Sequence, residues 1–100
     1  MSGIRFVAPA RHELLAEVLH YEDEQLGLGE RFVAAVEEAA LRASEFPNAG
    51  SPATANTRRV FLRSFPFSLV YRADPGGIVI FAVAHHAREP GYWASRVQDR

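Results

Sequence analysis

Residues 58–85 read RRVFLRSFPFSLVYRADPGGIVIFAVAH. From Arg58 to Arg63 the side chains alternate, with Arg59, Phe61 and Arg63 on one side and Val60 and Leu62 on the other. That period of two is the pattern of a half-buried strand. Phe65, Phe67, Leu69 and Tyr71 alternate in turn against Pro66, Ser68, Val70 and Arg72, which predicts a second strand. Asp74-Pro75-Gly76-Gly77 is turn chemistry. Ile78 to His85 is a continuous apolar run rich in β-branched and aromatic residues, expected of a central strand buried on both faces. Three strands in succession with short turns imply an antiparallel sheet.

Upstream the period changes. Ile4 to Ala8 predicts a short first strand, and Pro9 suits the first turn of a helix. Leu14, Leu15, Val18, Leu19 and Leu26 recur at helical spacing, predicting an amphipathic helix over residues 9–25 with Gly27 as its stop. Most of its glutamates fall off that stripe, as on a solvated face. Glu30 opens a second helix carrying Phe32, Val36, Ala39, Ala43 and Phe46, and Pro47 ends it. Residues 48–57 (NAGSPATANT) read as a surface loop. A short helix is predicted from Tyr92 to Val97. The expected fold is a single α+β domain over residues 1–100, in the order β-α-α-β-β-β. A helical hairpin covers one face of an antiparallel sheet. The other face, with Arg59, Arg63, Ser68 and Arg72, is expected to be partly open.

With 100 residues and 48% apolar content, the chain has material for one core and is not disordered. It has no cysteine, hence no disulfide or thiolate metal site. No apolar run is long enough to span a bilayer, and residues 1–10 lack a signal-peptide pattern, so a cytoplasmic location without membrane attachment is expected. All 11 basic residues are arginine. Charge is unevenly placed: residues 1–46 carry nine acids and four arginines, and residues 47–100 carry three acids and seven arginines. The formal net charge of −1 argues against general or sequence-specific DNA binding.

Three stretches in this order resemble one family. The first is His20-Tyr21-Glu22 followed by residues 26–32, Leu-Gly-Leu-Gly-Glu-Arg-Phe. The second is Arg58-Arg59-Val60-Phe61-Leu62 with Phe65-Pro66-Phe67-Ser68-Leu69-Val70-Tyr71. The third is Ala82-Val83-Ala84-His85, Arg88-Glu89-Pro90 and Tyr92-Trp93. Together they are similar to the ParE/RelE superfamily of toxin–antitoxin toxins, in its ParE-like plasmid-stabilisation branch. The resemblance runs from about residue 4 to residue 96. It implies a toxin of a type II system, held by a cognate antitoxin and arresting growth when free. ParE-like members inhibit DNA gyrase; RelE-like members enter the ribosome and cut mRNA. The same resemblance leaves room for a relative that keeps only antitoxin binding.

RelE-type cleavage needs cations for the developing phosphorane charge and an acid–base group. Carried over, Arg59, His86, Arg88 and Tyr92 are the residues such a nuclease would use here. Phe61 and Ser68, however, stand where RelE has basic residues, and His86 where it has an arginine. The incomplete set favours the binding-type, gyrase-directed reading over an enzyme. Arg58, Arg59, Arg63, Arg88, Tyr92 and Trp93 are the candidate partner-binding residues, with Trp93 also suited to closing the core edge and Tyr92 expected outside it. His85 and His86 point to opposite faces of a strand, and no HxH or HxxxH spacing accompanies them. No metal and no cofactor is expected.

Overall fold

The computed structural model describes residues 3–97. Its elements are β1 (Ile4–Phe6), α1 (Ala8–Glu24), α2 (Leu28–Glu45), β2 (Ser51–Ala53), β3 (Thr57–Phe61), β4 (Phe67–Asp74), β5 (Gly77–His85) and a single 3-10 turn, Ala94–Arg96. The strands form one sheet in the order β1-β5-β4-β3-β2. Both helices lie on one face, over Phe67, Leu69, Tyr71, Ile78, Ile80 and Val83.

The α+β class, the helical hairpin and the three late strands are as expected. The sheet is mixed rather than antiparallel, because β1 runs parallel to β5, with Ile4 opposite Ile78 and Phe6 opposite Ile80. The predicted loop contains the short edge strand β2, which pairs with β3 in the register Ser51↔Arg59 and Ala53↔Thr57. Pro52 at its centre hid it, yet an edge strand tolerates a missing N–H on its open side. The predicted tail helix shrinks to the 3-10 turn.

The helical stripe also needs correction. On α1, Ala10, Leu14, Val18 and Tyr21 face the core, while Leu15, Leu19 and Leu26 are 54%, 71% and 90% exposed. Two leucine columns were available, and a helix resting on one layer buries only one. On α2, Phe32, Val36, Ala39, Ala40 and Ala43 are buried, which is the expected stripe apart from Phe46. The small side chains let α2 sit close to the sheet. Tyr21, Phe32, Phe65 and Phe67 close the core between the hairpin and the sheet; Tyr21 meets Phe32 and Phe65, and Phe32 meets Phe65 and Phe67, with ring centroids near 5 Å and edge-on or tilted geometry.

The joint between the helices has a device of its own. Gly27 adopts φ 87°, and α2 begins immediately, at Leu28 rather than Glu30. The Glu22 carboxylate reaches across from α1 and accepts the N–H groups of Gly27 at 2.9 Å and Gly29 at 3.0 Å. An acid at the end of one helix therefore serves the positive end of the next.

Candidate functional site

The face of the sheet away from the helices carries two rows of side chains fixed by strand register. Phe61, Ser68 and Ala84 are neighbours across β3, β4 and β5; Arg59, Val70 and Ala82 form the next row. Beyond β5 the chain turns sharply. The His86 N–H donates to the Pro66 carbonyl at 2.8 Å, and the Arg88 N–H donates to the His85 carbonyl at 3.0 Å. Gly91, at φ 77°, then sends the tail back over the sheet. Trp93, 4% exposed, packs with Val70, Ala82 and Ala84 in a second small core. This face is not open where the tail crosses it.

Between the tail and the ends of β2 and β3 lies a groove of about 360 Å³. Arg59, Ser68, His86, Arg88 and Tyr92 line it, together with the apolar Pro52, Ala53, Ala84, Pro90 and Trp93. Ser68 is 1% exposed, and its hydroxyl shares a 2.9 Å hydrogen bond with His86 Nε2. The His86 ring lies 5.1 Å from that of Phe61, which is half exposed. The Arg59 guanidinium lies over the same Phe61 ring, 5.5 Å from its centroid. Arg88 lies over Tyr92 at 3.7 Å.

The tail is held by a buried acid. Arg96 donates to both oxygens of Glu13 at 2.9 Å, Tyr92 donates its hydroxyl at 2.8 Å, and the Val83 N–H donates at 2.9 Å. Arg96 also donates to the Phe81 carbonyl at 3.0 Å. These two side chains satisfy main-chain groups of β5 that β1, ending at Phe6, does not reach. Burial by itself would raise the Glu13 carboxyl, but the hydrogen bonds from Arg96, Val83 and Tyr92 outweigh it and hold the group below its ordinary range. Burial, and then the hydrogen bond to Glu13, push the Tyr92 phenol well above its ordinary value.

The structure gathers Arg59, His86, Arg88 and Tyr92 around one groove, although Tyr92 is half-buried and its hydroxyl is committed to Glu13. It does not gather Arg58, Arg59 and Arg63. Arg58 donates to the Gly50 carbonyl at 2.8 Å, and Arg63 lies 3.8 Å from Glu38 on α2. Trp93 is enclosed. The two histidines do face apart: the His85 ring packs on Phe67, on the helix side, and His86 faces the groove. Glu13, Ser68 and Arg96 were not singled out as functional or structural anchors by the sequence reading, which placed Glu13 on a solvated face. The only signal for Glu13 was its position beside Leu14, at the border of the buried column.

Comparison with known proteins adds two findings. The family model described as ParE toxin of type II toxin-antitoxin system, parDE, matches residues 4–90. A solved structure from P. aeruginosa, titled as a chromosomal ParDE TA system, is similar in fold, with a TM-score of 0.66. It is 21% identical, over 85% of this chain and 96% of that one. No curated protein matches the chain by sequence.

Proposed function

The chain belongs to the ParE toxin family of type II toxin–antitoxin systems, and from that premise we propose that it is a binding-type toxin that blocks DNA gyrase and is neutralised by a cognate antitoxin. The observation that carries the reading is the state of the groove. Where a nuclease of this superfamily would hold extra cations, the chain has Phe61 and the buried Ser68. The Tyr92 phenol is kept protonated and tied to Glu13. The remaining acid–base side chains of the lining are His85, His86 and Glu89, and without cations at positions 61 and 68 they are a poor basis for phosphoryl-transfer chemistry, which also needs charge stabilisation. Binding to a macromolecule makes no such demand.

Apolar surface supports the antitoxin half of the proposal. Leu15, Leu19 and Leu26 project from α1, and Leu41, Phe46 and Phe61 line the outer end of α2 and its border with β3. Residues of this kind grouped beside helices are what a partner segment would cover. Among the described residues no helix is long and apolar enough to cross a membrane. The reading itself places the protein in the cytoplasm, where gyrase is.

Purified protein at micromolar concentration should inhibit gyrase supercoiling, and antitoxin should restore it. Unimpaired supercoiling by folded protein would remove the proposal. One observation favours mRNA cleavage instead, namely that Arg59, His86, Arg88 and Tyr92 share a groove. Pulse labelling after induction separates the two: DNA synthesis stops first if gyrase is the target, protein synthesis if the ribosome is.

A further inference from the structure

Most of the arginines in residues 3–97 have a visible partner. Arg5 faces Asp74, Arg42 and Arg63 face Glu38, Arg96 holds Glu13, and Arg11, Arg58 and Arg72 donate to main-chain carbonyls. Among the described residues Arg31, Arg59 and Arg88 have none. Arg31 stands alone on α2. Arg59 and Arg88 line the same groove, and each lies over an aromatic ring, Phe61 and Tyr92 respectively.

A guanidinium stacked on a ring is held by its face, and its N–H edge remains available for the two-pronged capture of an oxyanion. Stacking also removes much of the side-chain freedom that binding would otherwise have to quench. Glu89 lines the groove but pairs with neither arginine. The same lining includes the apolar Pro52, Ala53, Ala84, Pro90 and Trp93 beside the hydrogen-bonded Ser68 and His86. The groove thus combines oxyanion donors held on aromatic rings with apolar surface.

We infer that this groove binds an acidic peptide segment of a partner protein, with Arg59 and Arg88 each taking a carboxylate and an apolar side chain resting on the apolar lining. A nucleic-acid strand is the weaker fit. It presents a continuous line of phosphates, and the neighbouring Arg58 and Arg63 are already spent on Gly50 and Glu38. The formal net charge of −1 gives no long-range attraction to a polyanion. The inference concerns a binding site and stands independently of the gyrase reading.

The test is a titration of the isotope-labelled full chain, followed through its arginine Nε–H resonances. The probes are a capped hexapeptide of alternating leucine and glutamate, its leucine–glutamine counterpart, a five-nucleotide single-stranded RNA, and inorganic phosphate, all at one ionic strength. The acidic peptide should shift Arg59 and Arg88 saturably. The glutamine peptide, which loses both pairs, should bind about a hundredfold more weakly, because each lost charge-assisted pair is worth about tenfold. Arg59→Gln and Arg88→Gln should each weaken the acidic peptide about tenfold, Arg59→Lys should fall between, and Arg63→Gln should change nothing. Absence of a saturable shift, equal binding of the glutamine peptide, or tighter binding of RNA or phosphate would overturn the inference. No arm reads toxicity, so a failure here is distinct from a failure in the supercoiling assay.

Discussion

Glu13 and Arg96 meet in a two-pronged ion pair at 2.9 Å, one from the second turn of α1 and the other from the 3-10 turn near the end of the described chain. The pair also meets β5, through the Val83 N–H and the Phe81 carbonyl. It therefore ties helix, sheet and tail at one point. Each side chain of the pair is less than a fifth exposed.

Removing one partner of such a pair leaves the other buried and unsatisfied. Glu13→Ala should cost about 3 kcal/mol in denaturant unfolding, and Arg96→Ala a similar amount. The double variant should cost much less than the sum of the two, since the second truncation removes a charge already orphaned. Strict additivity would show that the pair contributes nothing as a pair.

The pH dependence follows from the directions of the two shifts at this point. The Glu13 carboxyl is held below its ordinary 4.5 in the folded chain. Its contribution is present above 4.5 and fades as pH falls through the lower, folded value. The Tyr92 phenol is raised above its ordinary 10.0. Its contribution is present below 10.0 and is lost as pH rises toward the folded value. Glu13→Gln should flatten the acid limb of the stability curve and Tyr92→Phe the alkaline limb; an unchanged limb in either variant would refute the corresponding assignment.

The hairpin joint gives a steric test. A Cβ on Gly29 would stand 2.7 Å from the Val18 carbonyl oxygen. Gly29→Ala must push α1 and α2 apart and should cost about 2 kcal/mol, despite alanine's better helix propensity. Glu22→Ala exposes two helix N–H groups and should cost about 1 kcal/mol. Thermal unfolding of both variants reads these values.

On α1 the buried column can be told from the exposed one by substitution. Val18→Ala should lower stability by about 1 kcal/mol or more, whereas Leu19→Ser should stay within about 0.5 kcal/mol. If Leu19→Ser also abolishes antitoxin binding in a pull-down, the exposed leucines have been read correctly as partner surface.

Much of this was legible in the sequence. The period of two from Arg58 to Tyr71, the apolar run from Ile78 and the Gly27 stop report local backbone preference and burial, which act over a few residues. The parallel pairing of Ile4 with Ile78 was not legible, because it joins strands far apart in sequence and depends on how every element between them packs. Strand β2 was masked by Pro52, whose cost disappears at an open edge. In the site, Arg59, His86, Arg88 and Tyr92 were named through the family resemblance, and they line one groove. Glu13 was missed, and Ser68 was named without its burial, because burial of a polar side chain depends on partners far away in the chain: Arg96 for one, His86 for the other.

The mixed sheet has a consequence for synthesis. Strand β1 is made well before its partner β5 and the Arg96 anchor behind it. Until then the first strand has no neighbour, and the apolar faces of α1 and α2 have no sheet beneath them. The groove cannot assemble either, since one wall is the tail itself.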